Sequence, residues 1–121
     1  MNNLKKYIGV DIGGTGIACG IVTEDGKILC KLATPTLADR SSEEILNDIS
    51  SLINNVLQKN NTDISEITSI GIGSPGAVDD ATGEVIFAGN LPFLHTQIKQ
   101  KFVDEFKIPC FIGNDANVAA L

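Results

Sequence analysis

Residues 11–15, Asp-Ile-Gly-Gly-Thr, form a short polar and glycine-rich stretch at the end of an apolar run. Gly13 and Gly14 let a ligand approach the backbone closely, and backbone N–H groups exposed in such a turn can bind an anion. Thr15 adds a hydroxyl donor, whereas the Asp11 carboxylate repels phosphate unless a cation such as Mg²⁺ and its water shell intervene. These residue types suit a phosphate site, and they suit a plain Gly-Gly hairpin equally well.

Two further polar groups follow other predicted strands. Residues 74–76, Ser-Pro-Gly, are followed by Asn90; Gly76 can let a ligand pack on the backbone, and an Asn side chain both donates and accepts, as a sugar hydroxyl requires. Asn114 and Asp115 follow the last predicted strand, where the Asp115 carboxylate could accept a hydroxyl proton during phosphoryl transfer. The ordinary alternatives are a Pro-Gly turn, a turn Asn and a helix N-cap at Asp115.

The elements around these residues predict an α/β domain. The first three apolar runs are separated by tight turns, one of them Asp25-Gly26, so they are predicted to be antiparallel neighbours. Because the glycine stretch lies between two strands and is not followed by Gly-Lys-Ser/Thr or a helix, a Walker loop and a Rossmann fingerprint are excluded. Predicted strands cover residues 7–10, 17–22, 28–33, 67–72, 85–88 and 109–112.

The predicted helices alternate with the later strands. Ser41 followed by Glu44 fits a capping box, and apolar residues then recur at helical spacing up to Val56. A second helix carries a stripe at positions 98, 102 and 106, and a third is predicted to begin at Ala116; His95 is expected at the surface where the second helix starts. Helices between strands favour parallel crossovers, so all three polar groups are expected past strand ends, where ligands gather in open α/β sheets.

Composition bounds the function classes. Hydrophobic residues make up 43% of the 121 residues, enough for one packed domain, and a net charge of −6 disfavours nucleic acid as a partner. Cys19, Cys30 and Cys110 are too widely spaced for a zinc site or a disulfide framework and are expected to be small core residues. The N-terminus lacks a signal peptide and no apolar run approaches the about 20 residues that span a membrane, so a cytoplasmic protein is expected.

The same residues, in this order, resemble the ROK family of bacterial sugar kinases and related regulators, within the actin-like ATPase superfamily. The resemblance runs from the strand ending in Asp11 through residues 74–79 and 90–92 to residues 114–116. It implies a ribonuclease H-like fold, with a mixed five-stranded sheet of order 3-2-1-4-5 and helices on both faces. Residues 1–121 then correspond to the N-terminal half of a two-domain sugar kinase whose C-terminal half is absent.

The resemblance also implies roles for individual positions. The phosphate motif around ATP and Mg²⁺ is matched by Asp11, Gly13, Gly14 and Thr15, with Asp11 reaching the metal through water. Sugar-contacting positions are matched by Gly76, Asn90 and Asn114, and the base that takes the proton of the 6-hydroxyl is matched by Asp115.

The implied activity is ATP-dependent phosphorylation of a hexose such as glucose by the full-length protein, which is expected to be a homo-oligomer. The isolated chain is expected to be inactive because half of the cleft is missing. The alternatives are a sugar-responsive transcriptional regulator and a non-catalytic sugar sensor of the same family. Regulators of the family carry a helix-turn-helix ahead of the domain, and the first predicted strand begins almost at Met1, which favours the kinase.

Overall fold

The computed structural model describes residues 4–79, 81–87 and 91–114, with positions 77, 87 and 114 described by their backbone only. These residues form eight strands and two α-helices, with one short 3₁₀ turn at Ile64–Glu66. In chain order the elements are β1 Lys6–Ile12, β2 Gly16–Thr23, β3 Ile28–Pro35, α1 Ser42–Lys59, β4 Ile67–Ser74, β5 Ala77–Asp79, β6 Glu84–Phe87, β7 Leu94–Gln97, α2 Ile98–Phe106 and β8 Cys110–Asn114.

The main sheet has the order β3-β2-β1-β4-β8, which confirms the predicted five-stranded topology with β8 as its fifth strand. The pairs β1–β2 and β2–β3 are antiparallel, because tight turns join them. The pairs β1–β4 and β4–β8 are parallel, because a segment with a helix connects β3 to β4 and another connects β4 to β8.

Helix α1 begins where the sequence predicts. The backbone N–H of Glu44 donates to Ser41 Oγ at 3.2 Å, which satisfies one of the unpaired donors of the first turn. Glu44 Oε1 accepts a hydrogen bond from the Ser41 hydroxyl at 3.1 Å, so the two residues are also joined through their side chains. The predicted apolar face of α1 is fully buried at Ile45, Ile49 and Val56.

Both helices cover the same face of the main sheet. Ser50 Oγ on α1 donates to Glu105 Oε1 on α2 at 2.7 Å, and Lys101 Nζ on α2 donates to Asn47 Oδ1 on α1 at 3.0 Å. Under them lies one apolar core that joins both helices to the strands. The prediction placed helices on both faces; the segment predicted to begin the third helix, residues 116–121, lies outside the described residues.

The opposite face of the sheet carries a row of glycines. Gly9 on β1 pairs with Gly20 on β2 and with Gly71 on β4, so three glycines lie side by side across it. A Cβ atom added at Gly9 or Gly71 would meet no described atom within 4 Å. At Phe111 on β8 the side chain is 61% exposed. Around Gly9 and Gly71 this face is therefore open among the described residues.

A second, three-stranded antiparallel sheet has the order β5-β6-β7. Its first turn closes through the N–H of Gly83, which donates to the Asp79 carbonyl at 2.8 Å and has φ of 72°. Strand β6 corresponds to the predicted strand at 85–88, of which position 88 lies outside the described residues. Strands β5 and β7, with three and four residues, were not predicted because runs this short carry no clear alternation.

The position of His95 differs from the prediction. Its side chain is exposed, as expected, but it lies in β7 with φ of 51°, and α2 begins three residues later at Ile98. His95 Nδ1 is 3.3 Å from Glu84 Oε2 on the paired strand β6. The helix start was wrong because β7 occupies the residues that precede Ile98.

No helix in the described part of the chain is both long enough and apolar enough to cross a membrane.

Candidate phosphate and sugar site

Strands β1, β4 and β8 are parallel, so their carboxyl ends meet at one edge of the main sheet. Asp11 on β1 lies opposite Gly73 on β4, and Ser74 at the end of β4 lies opposite the backbone of Asn114 at the end of β8. The sequence placed its three polar groups past these strand ends, and the register brings the first residues of each to the same edge. Ligands bind at this edge in open α/β sheets.

The glycine-rich turn between β1 and β2 is closed by its own backbone. The Gly13 N–H donates to the Gly16 carbonyl at 2.9 Å. A Cβ atom added at Gly13 would lie 2.9 Å from that carbonyl oxygen, closer than real side chains come, so this position requires glycine. We call residues 13–16 the phosphate loop below.

The apex of the phosphate loop presents unused donors. Gly14 and Thr15 are exposed, and neither backbone N–H donates a hydrogen bond to another described residue. The Thr15 hydroxyl likewise has no hydrogen-bond partner in the described part of the chain. Three N–H or O–H groups at a turn that also carries an exposed carboxylate, Asp11, suit an anion held together with a cation.

Asp11 places an exposed carboxylate at the end of β1, beside the phosphate loop. Among residues 4–79, 81–87 and 91–114, no three His, Cys, Asp or Glu side chains gather into a group that could hold a metal ion directly. A single exposed carboxylate at the end of β1 matches a hard cation that keeps most of its water shell, which is the way Mg²⁺ binds beside phosphates.

At the end of β4 the chain turns through Ser74, Pro75 and Gly76. Ser74 is fully buried and its hydroxyl donates to the Pro75 carbonyl at 3.2 Å. Gly76 is exposed with φ of 89°, a conformation that favours glycine. This is the Pro-Gly turn that the sequence allowed, and it places an exposed glycine at the edge where β1 and β8 also end.

The remaining predicted positions are described only in part. Asn114 has its backbone at the end of β8, and its side chain is not described; Asn90 and Asp115 lie outside the described residues. The roles predicted for Asn90 and Asn114 in sugar contact, and for Asp115 as the base, stay predictions.

One residue that contacts the phosphate loop was not predicted. Thr36, directly after β3, is fully buried and donates through Oγ1 to the Gly13 carbonyl at 2.7 Å. A threonine one residue after Pro35 gives no periodic pattern, and its partner lies 23 positions away, so the sequence carried no local indication of this contact.

The cysteines agree with the core interpretation. Cys19 and Cys110 are each 1% exposed, and Cys30 is half-buried against the same core. Burial, aided by the nearby Cys30 thiol, raises the pKa of Cys19 to about 12. Burial also raises the pKa of Cys110 to about 11, against a small lowering effect of Lys99. These two thiols stay protonated at neutral pH and are not nucleophiles of the site.

Comparison with known proteins places the chain in a protein family. Residues 7–121 match the family model described as "ROK family". The glucokinase of Thermotoga maritima is 38% identical over 117 residues, which are 96% of this chain and 35% of that protein. The chain thus spans about a third of the length of this curated relative.

A solved structure and a regulator extend the comparison. A ROK family glucokinase from Streptomyces griseus, in complex with glucose and AMPPNP, superposes with a TM-score of 0.83 at 37% identity, over 97% of this chain and 35% of that chain. The xylose repressor of Caldicellulosiruptor bescii is 27% identical and covers 98% of this chain and 30% of its own length. Kinases and regulators therefore share this domain.

Proposed function

The chain belongs to the ROK family, and from that premise we propose that it supplies the first phosphate loop and the catalytic base of an ATP-dependent hexose kinase. The observation that carries the proposal is the pair of unused N–H groups of Gly14 and Thr15 at the edge where β1, β4 and β8 end. The similarity to glucokinases favours glucose as the hexose.

The proposed reaction needs little covalent chemistry from the protein. The bond between the β,γ-bridging oxygen and the γ-phosphorus of ATP breaks, and a bond from the sugar 6-oxygen to that phosphorus forms. The Asp115 carboxylate takes the hydroxyl proton, and the leaving oxygen departs with ADP. Positioning and charge neutralisation provide most of the acceleration in such transfers.

Each described residue has one task in this scheme. The N–H groups of Gly14 and Thr15 and the Thr15 hydroxyl donate to phosphate oxygens. Mg²⁺ bound with ATP would neutralise phosphate charge, and Asp11 offers its carboxylate to the water shell of the ion. Gly76, which has no side chain, would let the sugar pack closely against the turn, and Asn90 and Asn114 would donate to and accept from sugar hydroxyls.

The base assignment is tested in a protein that contains this chain and has the full length of its ROK relatives, here called the family-length protein. Replacing Asp115 by Asn removes the proton acceptor with little change in shape. Turnover, measured as ADP formed from ATP in the presence of glucose, should fall about 10²- to 10⁴-fold. Glucose affinity, measured by calorimetry, should change little. Asp39→Asn, a matched change at an exposed position between β3 and α1, should keep full turnover. An Asp115→Asn protein with wild-type turnover would overturn the assignment.

A sugar-responsive regulator is the second candidate, and the similarity to the xylose repressor favours it. The same family-length protein distinguishes the two, because a regulator binds sugar without consuming ATP. Glucose or xylose binding with no ADP formed in the presence of MgATP would support the regulator and contradict the kinase. The 121-residue chain by itself should form no ADP in either case, because a third of the family length cannot close a cleft around ATP.

A further inference from the structure

We propose that Thr36 is the positioning residue of the phosphate loop, and that Arg40 and Asp48 hold Thr36 in place. The proposal rests on the function proposed above, because it concerns how the same loop is kept ready for phosphate. Thr36 is a polar residue with no exposed surface, although it lies directly after the edge strand β3.

Thr36 holds the phosphate loop at two points. Its hydroxyl donates to the Gly13 carbonyl at 2.7 Å, and its backbone N–H donates to the Thr15 carbonyl at 3.1 Å. Both accepting carbonyls therefore turn inward, toward the protein, on either side of the loop apex at Gly14.

The orientation of the loop donor follows from peptide geometry. A trans peptide group holds its C=O and N–H on opposite sides, and no described peptide bond is cis. Since the Gly13 carbonyl points at Thr36, the Gly14 N–H in the same peptide group must point away from it. The hydroxyl of Thr36 thereby aims a donor outward at the site of the phosphate.

Thr36 is itself held by Arg40, which also contacts helix α1. Arg40 Nη2 donates to the Thr36 carbonyl at 2.8 Å, and Arg40 Nε donates to the Leu37 carbonyl at 3.3 Å. The other arm of the guanidinium, Nη1, lies 2.9 Å from Asp48 Oδ2 on α1. The N–H, C=O and Oγ1 of Thr36 are thus all engaged, and the loop is connected to the first half of α1.

A buried threonine can also be a stability element with no bearing on the ligand, and Thr62 provides the comparison. Thr62 is buried to a similar degree, and its hydroxyl donates to the Asn60 carbonyl at 3.1 Å, but it lies after α1, away from the loop. A purely structural role predicts the same consequences for the loss of either hydroxyl.

The test compares Thr36→Val, Thr36→Ser and Thr62→Val in the 121-residue chain. Valine keeps the shape but removes the donor, whereas serine retains it. The ¹H–¹⁵N spectra are recorded with and without magnesium tripolyphosphate, and the Kd is read from the shifts of the Gly14 and Thr15 amide signals. Thermal unfolding of each variant is measured alongside.

Thr36→Val should move the Gly14 amide signal in the ligand-free chain and weaken tripolyphosphate about five- to tenfold, as expected for one lost buried hydrogen bond. Thr36→Ser should restore the Kd to within about twofold, because it keeps the donor. Thr62→Val should lower the unfolding temperature while leaving the loop signals and the Kd unchanged. If Thr36→Val binds as the wild type does, or if Thr62→Val weakens binding equally, the positioning role is wrong.

Arg40→Lys covers the case in which Thr36→Val does not fold. Lysine keeps the charge but not the planar fork that bonds the Thr36 carbonyl and Asp48 together, so the Gly14 signal should move and the Kd should rise. An unchanged Gly14 signal and Kd in Arg40→Lys would show that Arg40 does not hold Thr36 in place. A wild-type chain whose loop signals ignore tripolyphosphate would instead contradict the phosphate role itself, and the ligand-free spectra alone would then decide whether Thr36 orders the loop.

Discussion

At the scale of single residues, burial governs the chemistry of the cysteines. Cys19 lies on β2 under the helices, and Cys110 begins β8 beneath α2. A thiolate in these places would lose its hydration, and at Cys110 the nearby Lys99 offsets only a part of that loss, so the pKa values of both thiols are raised.

The raised pKa values make alkaline pH destabilising. Below the ordinary thiol pKa of 9.0 both states hold the proton, and the full stability is present. Between 9.0 and about 12 the unfolded chain releases the Cys19 proton while the folded chain keeps it, so stability falls as pH rises. Urea unfolding at pH 8 to 11 should show this decline, and Cys19→Ala should make it shallower. Equal slopes for the two proteins would contradict the assignment to Cys19.

Single residues also show the limit of sequence reasoning about the site. Asp11, Gly13, Gly14 and Thr15 were predicted because their types and adjacency suit phosphate, and the structure places them at a sheet edge. Thr36 was missed because its importance arises from a contact across 23 positions, which folding creates and local composition does not encode.

At the scale of elements, local turn chemistry made the first three strands predictable. The predicted Asp25-Gly26 turn is present, with Gly26 at φ of 87° and its N–H donating to the Thr23 carbonyl at 2.9 Å. The short strands β5 and β7 were missed because they form only by pairing with β6, so no single segment of sequence specifies them.

The end of α2 offers a test of a backbone conformation that the sequence did not anticipate. Lys107 caps the helix in the left-handed region, with φ of 61° and ψ of 30°, and donates its N–H to the Val103 carbonyl at 2.9 Å. Glycine adopts this conformation without the Cβ penalty, so Lys107→Gly should raise the free energy of unfolding by about 0.5–1 kcal/mol in urea titrations.

Lys101→Gly is the matched control for that change, because it replaces the same residue type inside α2. It should lower the free energy of unfolding by at least about 1 kcal/mol, because it introduces glycine inside a helix and also removes the hydrogen bond of Lys101 Nζ to Asn47. If both variants are destabilised alike, the strain at Lys107 does not contribute to stability.

At the scale of the whole molecule, the main sheet has two unlike faces. Helices α1 and α2 bury one, and the other carries the row of Gly9, Gly20 and Gly71. Tight turns made the antiparallel pairing of the first three strands predictable, and the resemblance to the ROK family implied the full sheet order. The glycine row was not predictable, because glycines in a sequence indicate turns as readily as a flat face.

This difference between the faces makes one glycine replaceable. A methyl group at Gly71 meets no described atom within 4 Å, and alanine restricts the unfolded chain, so Gly71→Ala should stabilise the 121-residue chain by about 0.5–1 kcal/mol. At Gly20 the same methyl group would lie 3.1 Å from the Cys30 carbonyl oxygen, so Gly20→Ala should gain less or lose stability. Urea midpoints of the two variants check the ordering, and a larger gain at Gly20 would contradict it.

The central position of β1 also determines how the chain would exchange its amide protons with deuterium. β1 is bonded to β2 on one side and β4 on the other, so its inner amides open only when the whole domain unfolds. Two residues after β1 ends, the Gly14 N–H has no acceptor in the described part of the chain. A strongly protected and an unprotected amide are thus expected within a few residues of each other, and a phosphate bound to the Gly14 N–H should slow its exchange.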